Sequence, residues 1–546
     1  MTMAMTAPAH VPAIPTIPDS APFNAAQRAW LNGFFAGLLN RGGAGAPAMQ
    51  PAEVATVSSD AEEAMTWHDP ALNLEDRLQL AEGRPVERRL MAAMAQLDCG
   101  ACGYVCQTYA EAIASGEEKD LTKCAPGGRE TARKLKELSS SIVPVASVTV
   151  RGAPATPVPA PVPAPATTPK GHDRRHPFAA RLLKNQPLNA PASSKDTRHI
   201  VFDLHGSGLT YRAGDALGVI PENCPDTVGW LLEALDASGG ESITTTDDST
   251  ATLHDVLLRH VGITQPTVGL VQLLGVSASD PDHAQALRQM TAEDGPGIPE
   301  GHEVLDLLKR FPSARPSPAA FVGALKPIRP RLYSISSSPK AHPDDVHLTV
   351  AVVRYVNAVG RQCRGVASTY LAERLRAGQK AKVFVHASHA FAPPADANVP
   401  MIMVGPGTGV APFRAFLQDR AASAGARGRN WLFFGDQKRD HDFLYREEIE
   451  KWIVDGVLTR LDTAFSRDQA EKIYVQDRML ERGREIWAWL QDGAHFYVCG
   501  DAKRMARDVD HALTKIVAEQ GGMSAEAAAA YVSDLAKSKR YGRDVY

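Results

Sequence analysis

Four cysteines lie close together in the stretch LDCGACGYVCQTYAEAIASGEEKDLTKCAPGG. They are Cys99, Cys102, Cys106 and Cys124, spaced C-x₂-C-x₃-C-x₁₇-C. Four thiolates can hold either zinc or an iron–sulfur cluster, and the number of ligands alone does not separate the two. Short cysteine-rich loops followed by a helix suit a cubane cluster better than a zinc ribbon, whose cysteine pairs are both C-x₂-C. The spacing therefore predicts a 4Fe–4S cluster, with structural zinc or thiols that bind no metal as the alternatives.

A second group of residues that could bind a ligand is the glycine-rich stretch VPMIMVGPGTGVAPFRAFLQDR. Its apolar start is typical of a buried strand, and its end is typical of a helix. Glycines between a strand and a helix let the backbone approach a pyrophosphate, and the helix N-terminus supplies amides and partial positive charge. We predict that Gly407, Thr408 and Gly409 contact a dinucleotide, although a tight turn without a ligand would also explain the glycines.

About sixty residues further on, the stretch AFSRDQAEKIYVQDRM carries polar side chains that suit a phosphorylated adenosine. They are Ser466, Arg467, Lys472, Tyr474 and Gln476. The two cations suit a 2′-phosphate, and the ring of Tyr474 can stack on adenine. Each charge-assisted hydrogen bond is worth roughly 1.5–3 kcal/mol. The stretch therefore predicts a preference for NADPH over NADH, with a solvated charged surface as the alternative.

The composition limits the classes of function that are open to the chain. The net charge of -3 shows no excess of positive charge that would bind a polyanion, so we expect no nucleic-acid partner. We also expect no membrane span, because the apolar runs are interrupted by Gly and Pro. The N-terminus lacks the features of a signal peptide. Seven cysteines, part clustered and part scattered, do not resemble a disulfide framework, and a cytoplasmic location is expected.

The pattern of elements predicts a multidomain protein. Residues 20–150 read as a small α-helical module that carries the cysteines, and residues 151–172 as a Pro/Ala-rich linker. Residues 173–397 contain β-branched runs that suit a barrel-like sheet, interrupted at about 224–325 by an insertion with a helical pattern. Residues 398–546 alternate strand and helix, which indicates an α/β doubly wound parallel sheet.

Seven motifs in order make residues 171–546 similar to the diflavin reductase branch of the ferredoxin–NADP reductase family. They are RLYSISSSP, GVASTYLAERL, GPGTGVAPFRAFLQDR, FFGDQKRDHDFLYREE, AFSRDQAEKIYVQ, YVCGDAKRMARDV and YGRDVY. The terminal RDVY resembles the sulfite reductase members, because the cytochrome reductases carry a tryptophan near that end. The resemblance implies FAD and NADPH as cofactors, a β-barrel FAD-binding domain and an NADP-binding domain.

The resemblance also implies which residues hold FAD. Arg331 would pair with a phosphate of FAD, Tyr333 would pack on the flavin, and Ser334 would lie by the N5 edge. Two further segments would contact FAD through backbone groups, the flavin-lining Thr349, Val350 and Ala351 and the pyrophosphate-cradling Gly365, Val366, Ala367 and Ser368.

At the site of hydride transfer, the resemblance implies that Cys499 faces the nicotinamide. Without the resemblance, a buried small apolar residue is the more common role of such a cysteine. Asp544 would pair with Ser334 and Cys499. Tyr546 would shield the flavin ring and would have to move before the nicotinamide can stack there.

The chain departs from the family pattern in two places. Where relatives usually show FRLP, residues 391–394 read FAPP, so a basic contact near the flavin is missing or is supplied from elsewhere. More importantly, the N-terminal part shows no flavodoxin-like FMN domain. The cysteine stretch resembles small cluster-binding domains instead, although their gap between the second and third cysteines is usually one residue longer.

These observations lead to the hypothesis of an electron relay from NADPH through FAD to a 4Fe–4S cluster and on to an external acceptor. The acceptor implied by the resemblance is a haem-containing sulfite reductase. One alternative keeps the reductase but supplies a nitrate or nitrite reductase or another haem protein. Another makes the N-terminal module a zinc-stabilised docking domain that carries no electrons.

Overall fold

The computed structural model describes residues 67, 74–96, 104, 106–116, 118–124, 127–140, 172–245, 249–292, 294–388, 391–423, 428–502 and 504–546. All of these belong to one compact unit, residues 64–546. Residues 1–63 lie outside the described residues. Cys99, Cys102 and all of the predicted linker except His172 also lie outside them.

Four helices make up the described part of the cysteine module. Their bounds are Leu74–Leu80, Val86–Ala92, Cys106–Ala114 and Gly128–Ser140. The third helix buries Tyr109, Ala110 and Ile113, whose spacing places them on one face. Gly128 begins the fourth helix with φ +58°, a conformation that residues with a Cβ adopt at a cost. The module therefore has a small apolar core of its own.

Ten strands lie in the described residues between 172 and 388. They are β1 (Phe178–Pro187), β2 (Thr197–Asp203), β3 (Ala216–Ile220), β4 (Ser242–Thr244), β5 (Thr250–Thr252), β6 (Arg331–Ser334), β7 (Asp345–Ala351), β8 (Arg354–Val356), β9 (Gln362–Arg364) and β10 (Lys380–His386). Six of them form an antiparallel sheet in the order β6-β3-β10-β1-β2-β7. A bridge between Ile335 and Leu348 connects the two edges, so the sheet closes around an apolar core.

The insertion between β3 and β6 is mainly helical. Its helices are Pro225–Leu235, Leu253–Arg259, Val268–Ser277, Pro281–Thr291, Val304–Arg310 and Pro318–Ala324. Four of them begin at side-chain caps, Thr252, Thr267, Asp280 and Ser317, whose oxygens accept hydrogen bonds from helical amides. The pair β4–β5 adds a short hairpin that the helical pattern did not predict. The insertion has its own apolar core.

A short hairpin, β8–β9, leads into the next helical segment. An α-helical turn, Val366–Thr369, continues as a π-helical turn, Tyr370–Arg374. Gly365 immediately precedes this segment as its N-cap. The segment therefore begins with the residues that the resemblance assigns to the FAD pyrophosphate.

The C-terminal part confirms the predicted parallel α/β sheet. Its strands are β11 (Met401–Val404), β12 (Asn430–Asp436), β13 (Arg460–Phe465), β14 (His495–Gly500) and β15 (Tyr541–Val545). They are parallel, in the order β13-β12-β11-β14-β15. Ile402 packs into one core and Met403 into another, so both faces of the sheet are covered. The strand order reverses between β11 and β14, which is where such sheets bind ligands.

Helices cover the two faces of this sheet. After a 3₁₀ turn at Gly407–Val410, they are Ala411–Ala422, Arg439–Asp442, Arg446–Val454, Val475–Glu481, Gly483–Gln491, Met505–Gly521 and Ala525–Lys537. Within the part of the chain that the structure describes, we find no helix with the length and apolar character needed to cross a membrane.

Buried polar contacts join the closed sheet to the parallel sheet. Arg414 donates to the carbonyl of Ser336 at 2.5 Å and to Nδ1 of His347 at 3.1 Å, and it forms an ion pair with Glu448. Tyr445 shares a hydrogen bond of 2.7 Å with Thr349. Because a buried polar group is costly without a partner, these contacts fix how the two sheets meet.

Candidate functional site

Three side chains from distant parts of the chain meet between the two sheets. The hydroxyl of Ser334, at the end of β6, donates a hydrogen bond of 2.5 Å to the carboxylate of Asp544. The thiol of Cys499 lies 3.6 Å from the same carboxylate oxygen. Cys499 and Asp544 are neighbours in the parallel pairing of β14 and β15. The structure thus brings together the three residues that the sequence predicted at the site of hydride transfer.

The environment of Cys499 keeps its thiol protonated. The side chain is fully buried. Burial raises the pKa of Cys499 well above its ordinary value, and the negative charge of Asp544 raises it further. A protonated thiol can donate to the carboxylate, so the Ser334 hydroxyl and the Cys499 thiol are two donors to the negative charge of Asp544. The site contains no thiolate that could act as a nucleophile.

The glycine loop lies directly against this site. A Cβ atom at Gly409 would be only 2.1 Å from the carbonyl oxygen of Cys499, so the loop can pass there only as glycine. Gly407 adopts φ +57°. Between them, the hydroxyls of Thr408 and Tyr546 share a hydrogen bond of 2.8 Å. The loop, the end of β14 and the C-terminal residue therefore form one surface.

The residues predicted to bind the adenosine phosphate lie at the carboxyl ends of β12 and β13. The amide of Ser466 donates to the carbonyl of Asp436 at 2.9 Å, which joins the two strand ends. Arg467 and Lys472 are exposed and make no ion pair with the described residues. The ring of Tyr474 is 44% exposed, which leaves a face open for stacking. Gln476 makes only a long contact, 3.5 Å, with Asp508.

Sequence reasoning missed an ion pair beside the glycine loop. Lys195, between β1 and β2, pairs with Asp436 at the end of β12. The side chain of Asp436 is 1% exposed, and burial raises its pKa against the opposing effect of Lys195. A carboxylate here would repel a pyrophosphate, so the Lys195 ammonium compensates for it. The 241 residues between the two leave no local pattern that would reveal the pair.

The predicted FAD residues lie along one side of the closed sheet. Arg331 is exposed at the start of β6, while Tyr333 is half-buried against the core. The remaining predicted residues lie on β7 and at the helix start after β9. Thr349 and Val350 are buried and Ala351 is exposed, whereas Gly365 and Val366 are half-buried and Ala367 and Ser368 are buried.

Beside this helix start lies an open cleft whose cations are partly paired with carboxylates. Its lining includes Arg361, Arg364, Arg374 and the ring of Trp230, together with Glu303 and Asp226, which pair with Arg361 and Arg364. Nε of Arg374 is buried and has no hydrogen-bond partner in the described part of the chain, although another nitrogen of the same side chain donates to the carbonyl of Val366 at 2.7 Å. Cations, an aromatic ring and first-turn amides are the groups that hold a dinucleotide. The residues present therefore fit FAD.

Two of the four predicted metal ligands are described, and both are buried. Cys106 begins the third helix of the module, and Cys124 precedes the fourth. Both border the same apolar core, beside Tyr109. Thiolates at the edge of a dry core fit an iron–sulfur cluster, which such surroundings shield from water.

The FAPP segment, where the resemblance implied a basic residue, makes apolar contacts. Phe391 is 3% exposed and packs against Phe413, Phe416 and Tyr497. The hydroxyl of Tyr497 donates to the carbonyl of Ala392 at 2.9 Å. The segment thus anchors the end of the FAD part to the parallel sheet.

Three segments of the chain match protein-family models. Residues 170–370 match the FAD binding domain family. Residues 403–511 match the oxidoreductase NAD-binding domain family. Residues 94–126, which include all four clustered cysteines, match an Fe-S cluster family.

Several sulfite reductase [NADPH] flavoprotein alpha-components are similar to the chain. The Bacillus subtilis protein is 45% identical over 396 residues, which is 72% of this chain and 65% of that protein. The Vibrio cholerae protein is 43% identical over 416 residues, 75% of this chain and 66% of that protein. The Photorhabdus laumondii protein is 45% identical over 381 residues, which is 69% of this chain and 62% of that protein.

The chain thus spans somewhat less than two thirds of the length of these relatives. Ser334 lies within the match to the FAD binding domain family and Cys499 within the match to the NAD-binding domain family, whereas Asp544 lies beyond both matched segments. The chain is therefore similar to the sulfite reductase [NADPH] flavoprotein alpha-components, with segments that match FAD-binding and NAD-binding domain families and a further segment that matches an Fe-S cluster family.

Proposed function

We propose that the protein is an NADPH-dependent flavoprotein reductase that delivers electrons to a haem-containing sulfite reductase. The observation that carries the proposal is the hydrogen bond between Ser334 and Asp544, with Cys499 beside it, at the junction of the FAD and NAD domains. The names of the relatives support the choice of acceptor, because each is a component of an NADPH sulfite reductase.

On the NADPH side, the chain would bind the cofactor along the carboxyl edge of the parallel sheet. Arg467 and Lys472 would pair with the 2′-phosphate, and Tyr474 would stack on adenine. The glycine loop and the ammonium of Lys195 would accommodate the pyrophosphate. These contacts would orient the nicotinamide towards the junction at Cys499.

At that junction, Asp544 would accept hydrogen bonds from Ser334 and Cys499 and so fix both donors in place. Bound FAD supplies the chemistry of the step, since a flavin accepts a hydride and releases electrons singly. The burial of Cys499 keeps water from the transferred hydride. Ser334, Cys499 and Asp544 would therefore position the reacting groups and exclude water.

The cysteine module would hold a 4Fe–4S cluster through Cys99, Cys102, Cys106 and Cys124. Such a cluster carries single electrons, which suits a haem acceptor. The proposal places the protein in the cytoplasm, where thiols stay reduced.

Anaerobic titration of the full-length protein with NADPH tests the proposal. We expect iron and acid-labile sulfide in the purified protein, bleaching of the flavin absorbance, and an EPR signal from the reduced cluster. Cys124→Ala should remove iron and prevent reduction of a haem sulfite reductase, with flavin reduction unchanged. Gln107→Ala, which alters the neighbour of Cys106 in the same helix and leaves all four cysteines in place, is the matched control.

Zinc in place of iron, or a Cys124→Ala variant that still reduces the acceptor, would contradict the relay. Reduction of a nitrite reductase or another haem protein, but not of sulfite reductase, would contradict the proposed acceptor alone.

A further inference from the structure

The cysteine module contacts the FAD domain at the segment that leads into the flavin-binding strand. Nζ of Lys326 pairs with the carboxylate of Asp120 at 2.7 Å and donates to the hydroxyl of Thr122 at 2.8 Å. Three residues further on, Arg329 donates to the carbonyl of Lys123 at 3.3 Å. Two groups of contacts thus connect one loop of the module to one segment of the FAD domain.

The loop of the module is held rigid at this contact. The hydroxyl of Tyr109 donates to the carbonyl of Asp120 at 2.6 Å and accepts from the amide of Lys123 at 3.1 Å. Burial alone would raise the pKa of Asp120, but hydrogen bonds from Lys326 and Thr122 lower it to about 2. The Asp120 carboxylate therefore stays charged at physiological pH, and its ion pair with Lys326 does not depend on pH in that range.

Two further contacts lie on either side of this loop. The guanidinium of Arg129 lies so close to Gly297 of the helical insertion that a Cβ there would be 2.6 Å from Nη2. The guanidinium of Arg174, which follows the predicted linker, lies 4.5 Å from the ring centre of Tyr104. The module is therefore seated on the FAD domain at several separate points.

The position of the contact connects the metal site to the flavin site. Lys123 is the neighbour of Cys124, a predicted cluster ligand. Arg329 lies two residues before Arg331, and its carbonyl accepts a hydrogen bond of 3.4 Å from the Arg331 guanidinium. A connected route thus leads from Cys124 to the FAD-binding strand. It runs through the backbone of Lys123, the side chain of Arg329, and the hydrogen bond between the Arg329 carbonyl and Arg331.

We propose that the Asp120–Lys326 and Lys123–Arg329 contacts form a docking interface that holds the iron–sulfur module against the flavin site, so that electrons pass between them within one chain. The inference rests on the proposed function. Oxidation of NADPH yields NADP⁺, one proton and two electrons, and the cluster takes one electron at a time. Each NADPH therefore accounts for two transfers across this interface.

Charge reversal at Lys326 tests the interface in the full-length protein. Lys326→Glu should increase hydrogen–deuterium exchange in residues 118–124 and slow the arrival of electrons at the iron–sulfur chromophore at least about fivefold, the change expected from losing about 1 kcal/mol. Flavin reduction by NADPH should not change. Combining Lys326→Glu with Asp120→Lys should restore much of the lost rate and protection.

Arg315→Glu is the matched control, because it reverses a cation in an ion pair of 2.7 Å with Asp236 elsewhere on the insertion. Unchanged exchange in Lys326→Glu would overturn the interface. Increased exchange with an unchanged transfer rate would overturn its role in electron transfer. If NADPH reduced no cluster in the unsubstituted protein, the proposed function would fail, whereas the exchange data would still decide whether the module docks.

Discussion

The hydroxyl of Ser334 donates a 2.5 Å hydrogen bond to the carboxylate of Asp544, although 210 residues separate the two in the chain. Ser334 ends a strand of the closed antiparallel sheet, and Asp544 lies in the last strand of the parallel sheet. The bond therefore crosses from the domain that binds FAD to the domain that binds the nicotinamide. Asp544 also lies beside Cys499, so its carboxylate connects both sides of the junction.

Removing the charge at this junction should slow hydride transfer. In Asp544→Asn, Ser334 and Cys499 lose a charged acceptor worth about 1.5–3 kcal/mol, so the rate of flavin reduction should fall about tenfold to a hundredfold. The KM for NADPH should change little, because Asp544 lies away from the adenosine end. Stopped-flow measurement of flavin reduction at several NADPH concentrations gives the rate of hydride transfer and shows whether its dependence on NADPH changes.

Asp510→Asn provides the control for that experiment, because Asp510 accepts a hydrogen bond of 3.0 Å from Tyr541 in the same strand but away from the junction. Ser334→Ala should cause a smaller loss in the Asp544→Asn background than on its own, since the lost charge has already weakened the same hydrogen bond. An equal loss in Asp510→Asn would indicate a general effect on the strand.

The preference for NADPH should depend on two exposed cations. The double variant Arg467→Ala/Lys472→Ala loses two charge-assisted hydrogen bonds, so its KM for NADPH should rise at least about a hundredfold. Its KM for NADH, which lacks the 2′-phosphate, should hardly change. Steady-state kinetics with both cofactors measures the difference, and Lys451→Ala controls for the loss of an exposed cation elsewhere in the domain. Equal changes for the two cofactors would refute the assignment.

Much of this site was predicted through the family resemblance, which rests on contiguous motifs. The glycine loop, the strand that contains Cys499 and the terminal RDVY are each such a motif. The parallel pairing of β14 and β15 then brings Cys499 and Asp544 together. The parallel sheet was predicted from the alternation of strand and helix patterns in residues 398–546. Each strand and each helix is a contiguous stretch whose pattern can be recognised in the sequence.

Contacts between distant segments could not be predicted in this way. Lys195 and Asp436, and likewise Lys326 and Asp120, are ordinary charged residues in their own stretches, and only the fold makes them partners. The hairpin β4–β5 was missed because its strands have three residues each, too few for a period-two pattern to appear.

Two buried histidines at the sheet junction should make the protein less stable in acid. Burial and then the charge of Arg414 lower the pKa of His347 to about 2 and that of His199 to about 3, from an ordinary value of 6.5. Below pH 6.5 the unfolded chain therefore binds more protons than the folded one, and the free energy of unfolding falls as the pH falls. At pH 5, each histidine should lower the free energy of unfolding by about 2 kcal/mol relative to its value at neutral pH.

Thermal unfolding measured between pH 5 and 8 checks this expectation. His347→Asn keeps an acceptor for Arg414 but cannot take up a proton, so its Tm should depend less steeply on pH. His205→Asn is the control, because the side chain of His205 is 78% exposed. If His347→Asn and His205→Asn have the same pH slope as the unsubstituted protein, burial of His347 does not determine acid stability.

The terminal residue should compete with the nicotinamide. Tyr546 is 48% exposed, and its hydroxyl is tied to Thr408 in the glycine loop by a hydrogen bond of 2.8 Å. If the ring must leave for the nicotinamide to enter, breaking that bond opposes binding by about 1 kcal/mol, or about fivefold in affinity. Tyr546→Phe should therefore bind NADP⁺ about fivefold more tightly, and Tyr546→Ala more tightly still, because it also removes the ring. Fluorescence titration of the flavin with NADP⁺ measures both affinities, and weaker binding in both variants would mean that Tyr546 is part of the binding surface and does not compete with the nicotinamide.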